Sequence, residues 1–363
     1  MESVLIIASS GRMLAQTACH SGLMPLVIDL YADLDMQDCA ADFLQVKSLG
    51  ESDLTPAVDY FIERYAVTQV IYGSGFEAYP ESLYYLKSRL NVLGNDPDTF
   101  AGQLDKPAFF ATLDSLGIPH PELVFSPPDT DDWLLKPMRG QGGVGIKRYH
   151  VGDSAKMPAY WQKFKTGMPH SVLFLADGRD LQVIGFNRQW SVCLSEAQEF
   201  VFSGVSNRCE LTDSHKVLIT DWLIQLVRFF AFKGLNSLDF IHAEGSSHVL
   251  EINPRPSASM QLYAQDLLNR HVQSCKGEGL PIDTGRLNPA SEAGFQIVYA
   301  ECDVIIPERF EWPDGCMDLP EKGSVCHTGQ PICSIIARQN KSGSVAKQLL
   351  AKQQLIFNKL ERF

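Results

Sequence analysis

Short, continuously apolar runs alternate with amphipathic stretches over the first hundred residues. Ser3 to Ala8 (Ser-Val-Leu-Ile-Ile-Ala) is such a run and predicts a buried strand. Ser9-Ser10-Gly11-Arg12 predicts a tight loop, and the following residues a helix through His20. Met24 to Asp29 is a second strand, so the chain opens as a β-loop-α-β unit of a parallel α/β sheet. Phe43 to Val46 and Gln69 to Tyr72 continue the strands, with a helix from Pro56 to Tyr65 between them. The glycine pattern of a dinucleotide fingerprint is absent, which excludes a nicotinamide site of that type. Ligands of open α/β sheets bind at the C-terminal ends of strands. Ser10, Arg12, Ser74 and Glu77 fall at such ends and are candidate substrate residues. Their alternative role is simply to form turns.

Two helical segments are expected between residues 97 and 118, and Ile118-Pro119-His120-Pro121 is an extended linker. A domain boundary is placed near residue 100. Asp132 to Pro137 then predicts a strand ending in Lys136, followed by the glycine-rich loop of Gly140, Gln141, Gly142, Gly143, Val144 and Gly145. Backbone N–H groups of such a loop can surround a phosphate, and a lysine on the preceding strand strengthens that reading. Gln162, Lys163 and Phe164 close another strand before a turn at Gly167. Strands at 171–175 and 181–186, joined by a tight turn, and a short one at 200–202 follow. An amphipathic helix is expected from Asp213 to Lys233, ended by Gly234, and another from Ser259 to Asn269. Beyond it, 278–291 is polar and turn-rich, 295–299 and the run up to Ala337 are strands, and 345–360 is a helix.

The most informative stretch is 236–256. Two apolar runs flank Ala243-Glu244-Gly245-Ser246-Ser247, which predicts a hairpin with a loop of about five residues. With Gly245 at the centre, Asp239 and Glu251 face each other, and Asn253 points to the same side as Glu251. Facing carboxylates repel. A cation between them removes the conflict, and two carboxylates with an amide oxygen suit Mg²⁺ or Mn²⁺. Arg255 follows directly and offers a permanent charge to a phosphate or carboxylate.

The 363 residues suffice for two or three packed units, and 45% hydrophobic with 20% charged residues is an ordinary soluble composition. A net charge of −12 disfavours nucleic acid, which needs a basic surface. No apolar run reaches membrane-spanning length, and the N-terminus has the pattern of a strand rather than a signal peptide. Nine cysteines without a Cys-x-x-Cys pair suggest reduced thiols in a cytoplasmic protein.

Lys106, then Lys136 with its glycine loop, then Gln162 to Phe164 and Gly167, then Asp239…Glu251-Ile-Asn-Pro-Arg255 stand in an order that resembles the ATP-grasp superfamily over roughly residues 1 to 270. Within it the chain looks most like the predicted carboligases related to biotin carboxylase, some of which are associated with tetrahydromethanopterin- and methanofuran-type one-carbon coenzymes. The resemblance implies an α/β fold: a pre-ATP-grasp parallel α/β domain at 1–100, an ATP-grasp domain at 101–270 and a C-terminal segment at 271–363 packing on it. It implies that Lys106 and Lys136 hold the ATP α- and β-phosphates, and that Gly140 to Gly145 close over the β- and γ-phosphates. It also implies that Gln162, Lys163 and Phe164 read adenine through their backbone. Asp239, Glu251 and Asn253 would carry Mg²⁺, and Arg255 would face the γ-phosphate or an acyl phosphate. One departure is that Lys165, Thr166 and Ser171 fill the region where many members keep a ribose-binding acid.

The implied reaction is ADP-forming carboxylate–amine ligation through an acyl phosphate. The alternatives are an ATP-dependent carboxylase, phosphoryl transfer on the same scaffold, or a non-catalytic ATP-binding regulator; the intact metal set speaks against the last. Arg12 and Glu77 would suit the carboxylate and ammonium of a small zwitterion. Partners are small-molecule acids and amines, and the C-terminal segment either completes the site or forms a homodimer surface.

Overall fold

The computed structural model describes residues 2–155, 157–263, 266–280, 291–339 and 343–361. The apolar run at the N-terminus is the strand Ser3–Ile7, in the middle of a five-stranded sheet. Side by side the strands are Asp42–Gln45, Met24–Asp29, Ser3–Ile7, Gln69–Tyr72 and Asn91–Leu93, all parallel. Helices cover both faces, which explains why the central strands are apolar without alternation: Leu5, Ile6 and Ile7 are fully buried. The sheet changes direction between Ser3–Ile7 and Gln69–Tyr72, so the loops after these two strands open on a shared crevice.

An eight-stranded antiparallel sheet forms the larger body. Its order is Ser246–Asn253, Lys233–Ala243, Met168–Asp177, Leu181–Val192, Val201–Ser206, Ala293–Tyr299, Pro331–Arg338 and Cys316–Met317. A four-stranded sheet of Leu123–Val124, Ala159–Lys163, Trp133–Pro137 and Lys147–Arg148 carries the predicted lysine and the glycine loop. The C-terminal segment does more than pack on this body: three of its strands extend the large sheet, and the helix Val345–Leu360, capped by Ser344, lies against them. Among the described residues, no helix is long and apolar enough to cross a membrane. All nine cysteines are free thiols.

Several boundaries differ from the sequence reading for local reasons. The helix expected from Pro56 begins at Glu51 and carries Pro56 on its exposed side. The helix Asp213–Phe230 ends because Ala231 turns left-handed at φ 53°, not at Gly234. Gly234 belongs to the next strand, where a Cβ would overlap the His271 ring. In place of one helix at 259–269, a 3₁₀ turn spans Ala258–Leu262 and an α-helix spans Leu267–Cys275. Most of the polar 278–291 stretch, residues 281–290, lies outside the described residues.

The N-terminal sheet and the C-terminal segment are joined by an ion pair between a buried arginine and a partly buried aspartate. Arg12, 2% exposed, donates from Nε to Asp318 Oδ1 (2.9 Å) and from Nη2 to Asp318 Oδ2 (3.2 Å). Its Nη1 also donates to Gln261 Oε1 at 2.7 Å. Burial alone would raise the Asp318 carboxyl, but the Arg12 charge and its hydrogen bonds outweigh this and hold it below the usual range. Ser10 Oγ donates to Asp318 Oδ1 at 3.3 Å, and the N–H groups of Asp318 and Leu319 donate to Asp35. Removing one member of a buried pair strands the other. Arg12→Ala is therefore expected to cost about 3–5 kcal/mol in urea unfolding; a loss under 1 kcal/mol would show that the pair is not what ties the two units.

Candidate active site

The hairpin places the two acids as the sequence predicted, by a route it did not predict. Asp239 pairs with Glu251 and Ser237 with Asn253. The loop is only Glu244-Gly245, both at positive φ (49° and 78°), a tight two-residue turn that fits the strand twist. Such a turn alone would set Asp239 opposite Leu250. The register shifts between Asp239 and Phe240, leaving Leu250 as an extra residue, and this bulge brings Glu251 opposite Asp239.

These carboxylates line one cavity of about 460 Å³ between the large and the four-stranded sheets. Lys136, Gly142, Gly143, Gln162, Lys163, Phe164, Asn253 and Arg255 line the same space. Withdrawal from bulk water and then the facing Glu251 push the Asp239 carboxyl up to about 7. Gln189 Nε2 donates to Asp239 Oδ1 at 3.2 Å and Asn253 Nδ2 to Asp239 Oδ2 at 3.1 Å. These bonds orient Asp239 without neutralising either acid. Burial lowers the Lys136 ammonium, with Glu251 and Asp239 acting against it. Lys136 Nζ donates to Gln162 Oε1 at 3.1 Å and lies 5.7 Å from the Tyr160 ring centre, while the buried Gln162 Nε2 has no partner. A buried ammonium, an orphaned amide donor and two facing carboxylates form a donor set suited to a phosphate chain with a hard cation. Among the described residues no three His, Cys, Asp or Glu side chains cluster as a metal site; this donor set is two acids plus an amide.

Arg255 is held from both sides. Its Nε donates to Glu77 Oε1 at 2.5 Å and its Nη2 to Asn253 Oδ1 at 3.2 Å. Nη1 makes a longer bond to the Pro256 carbonyl (3.4 Å). Of the five guanidinium donors, one N–H on each terminal nitrogen is left for a ligand. Glu77 is itself fixed by the N–H of Gly75 at 2.9 Å. The turn after the fourth parallel strand thus aims Arg255, assisted by Tyr72, whose hydroxyl donates to the Pro254 carbonyl at 3.0 Å.

Other expected residues stand apart. Arg12 and Ser10 are committed to Asp318, and Glu77 to Arg255, so the zwitterion pocket assembled from them is corrected: their charges are already paired inside the protein. Ser74 lies at the mouth of the parallel sheet, its carbonyl accepting from Ser9. Lys106 is buried on the first turn of the helix Lys106–Ser115, with Nζ 3.3 Å from the Gln103 carbonyl, and its charge acts on Tyr160 beside Lys136. No described ion pair engages Lys106 or Lys136. The N–H groups of Lys163 and Phe164 already donate to the Glu122 and Asp132 carbonyls (2.8 and 2.9 Å), so neither is open to a ligand. Among the described residues no hydrogen bond engages the N–H of Lys165, which with Thr166 lines the cavity. Gln189 and Trp190 escaped the sequence reading because the polar run Asn187-Arg188-Gln189 hides the continuation of their strand to Val192.

The glycine loop is docked, not loose. The Phe202 N–H donates to the Gly142 carbonyl (2.8 Å) and the Glu199 N–H to the Ile146 carbonyl (3.2 Å). Gln141 Nε2 reaches Ser9 Oγ at 3.4 Å, and Gly140 and Gly145 flank Pro137. Gly143, at φ 74°, touches the Phe200 carbonyl, which a Cβ would overlap; Gly142, at φ 62°, has nothing within 4 Å. Gly142→Ala therefore meets only backbone strain of about 1–2 kcal/mol, whereas Gly143→Ala also forces the loop off its seat. Limited proteolysis should cut the Gly143→Ala loop at least several-fold faster than the Gly142→Ala loop, and equal rates would refute the docking contact.

Comparison with known proteins agrees with this geometry. Residues 104–259 match the ATP-grasp domain family. A protein of Methanocaldococcus jannaschii, described as uncharacterized, is 23% identical over 277 residues, which are 69% of this chain and 64% of that one. The match thus spans just under two thirds of that relative's length. The fold resembles a biotin carboxylase from Campylobacter jejuni (TM-score 0.73, 14% identity, 98% of this chain and 91% of that one). It equally resembles an L-amino acid ligase from Bacillus licheniformis (TM-score 0.73, 13% identity, 99% and 98%). With Lys136, the glycine loop and the Asp239–Glu251–Asn253 set gathered in the matched region, residues 104–259 carry an ATP-grasp domain, within a chain whose fold resembles that of biotin carboxylase.

Proposed function

We propose that this chain is an ATP-dependent, ADP-forming carboxylate–amine ligase that works through an acyl phosphate. The observation that carries the reading is the convergence of Lys136, Asp239, Glu251, Asn253 and Arg255 on one cavity. ATP is the phosphoryl donor and Mg²⁺, or Mn²⁺, the resident cation. Bound there, the cation would offset charge on the phosphates. Asp239 and Glu251 would hold it, with the Asn253 amide beside them. Lys136 and Lys106 balance the phosphates, and the N–H groups of Gly140 to Gly145 surround them. The adenine edge is read by the N–H of Lys165 rather than those of Lys163 and Phe164, with Ile241 and Leu250 of the hairpin lining that end of the cavity.

The acid's carboxylate oxygen attacks the γ-phosphorus and ADP departs. The free N–H groups of Arg255 hold the resulting acyl phosphate. The amine nitrogen then attacks the acyl carbon, the bond to phosphate breaks, and phosphate leaves with the amine's proton going to solvent. Very little of this needs a covalent nucleophile from the protein. The docked glycine loop keeps water from hydrolysing the acyl phosphate. The fold likeness to an L-amino acid ligase supports the reaction class.

Proton and cation compete for Asp239. With its carboxyl at about 7 in the cation-free protein, it is protonated below that pH and open to a cation above it. The stabilisation given by Mg²⁺ at fixed ADP, measured as a Tm shift, should be full at pH 8, shrink below pH 7, and be absent in Glu251→Gln. An identical shift at pH 8 and pH 5.5 would contradict the assignment. The reaction itself is tested by ADP and phosphate release with ATP and Mg²⁺ against pooled acids and amines. The pools should include amino acids and pterin- and furan-type precursors, which represent the one-carbon coenzyme setting. Release is expected to require an acid and to fall about 100-fold or more in Glu251→Gln and Lys136→Ala; AMP in place of ADP would sink the acyl-phosphate route.

A further inference from the structure

The cavity has two chemically different ends. One lies between the Lys165–Thr166 turn and the bulged Leu250. The other is reached by crossing the large sheet from Lys233–Ala243, through Met168–Asp177 and Leu181–Val192, to Val201–Ser206. Three strand spacings put this far end about 14 Å from the strand that carries Asp239. Phe202 and Val205 line it from the sheet. Ala258 joins them from the 3₁₀ turn Ala258–Leu262, which packs on the same strands. The Trp190 indole lies across Gly204 on the opposite face of the sheet, packed on the C-terminal core, and leaves this face to Phe202 and Val205. The polar groups at the base of this turn are Arg255 and the Ser257–Ser259 hydroxyl pair, 2.9 Å apart.

Among the described residues, this end has no acid of its own. Of the described residues lining the cavity, only Asp239 and Glu251 are acidic, and both belong to the cation set. Glu77, the carboxylate nearest Arg255, is consumed by the guanidinium and the Gly75 N–H. An α-ammonium placed here would lose water with no anionic partner, beside the fixed positive charge of Arg255. A carboxylate, in contrast, meets the two unused N–H groups of Arg255, and an apolar body meets three apolar side chains, Phe202, Val205 and Ala258.

We infer that the acid activated by this protein is an apolar monocarboxylate without an α-ammonium group. Its carboxylate sits on Arg255 and its body against Phe202, Val205 and Ala258. The inference rests on the ligase reading and narrows its substrate class.

The test uses the full chain with ATP, Mg²⁺ and hydroxylamine as the nucleophile. Hydroxylamine nitrogen attacks the acyl phosphate, phosphate leaves, and the hydroxamate is counted as its ferric complex. Four acids are compared: 3-phenylpropionate, L-phenylalanine, L-glutamate and propionate. The first two differ only by the α-ammonium. We expect kcat/KM for 3-phenylpropionate to exceed those for L-phenylalanine and L-glutamate at least tenfold. Phe202→Ala should lower the ratio of 3-phenylpropionate to propionate by about tenfold, the scale of apolar-pocket discrimination; a merely structural role would lower both acids together. Hydroxamate formed preferentially from L-phenylalanine or L-glutamate would overturn the inference and leave the ligase standing. AMP release, or ADP release without hydroxamate from any acid, would overturn both. No turnover with any of the four acids would also overturn the substrate class.

Discussion

Two carboxylates that face each other across a hairpin set the terms for everything around them. Asp239 and Glu251 are drawn into a cavity wall where their repulsion is poorly screened, and Asp239 answers by holding its proton up to about 7. A sheet evolved for stability alone would place an apolar or oppositely charged pair there. Gln189 and Asn253 orient Asp239 but cannot cancel its charge, and Lys136 approaches at the cost of its own burial. A cation with an anionic ligand would resolve the conflict that the proton on Asp239 relieves only at lower pH.

The second requirement is that an arginine beside this pair stay aimed and partly unpaired. The parallel sheet supplies that control from a different part of the chain. The turn carrying Glu77 takes one edge of Arg255, and Tyr72 fixes the adjoining backbone. The same sheet is tied to the C-terminal segment through Arg12 and Asp318, residues 306 positions apart. The crevice of an α/β sheet, which in many proteins receives the ligand, here serves as the mount for a residue of the neighbouring sheet.

Charges alone mislead when their partners are remote. Arg12 and Glu77 sit where ligands bind in open α/β sheets, and their sequence neighbourhoods gave no sign that Asp318 and Arg255 would claim them. Gln189 presents the opposite case. It acts on Asp239, yet the polar run around it gave its strand no alternating signature. The hairpin was readable because its pairing is local: a turn signal, a period of two and a few residues of chain fix which positions face each other, and a compensating bulge kept the result intact.

The sequence by itself determined the apolar strands of the parallel sheet, the lysine before a glycine loop, and the pair Asp239 and Glu251 with Asn253 and Arg255 beyond it. These follow from contacts within some twenty residues, where side-chain period and turn chemistry act directly. Only the tertiary structure decided that the C-terminal strands extend the large sheet, that the N–H groups of Lys163 and Phe164 are already used, and that Arg255 retains two free donors while Glu77 and Arg12 have their charges paired inside the protein. Each of those depends on groups brought together from distant parts of the chain, where pairing is chosen by burial and by the need to satisfy every charge removed from water.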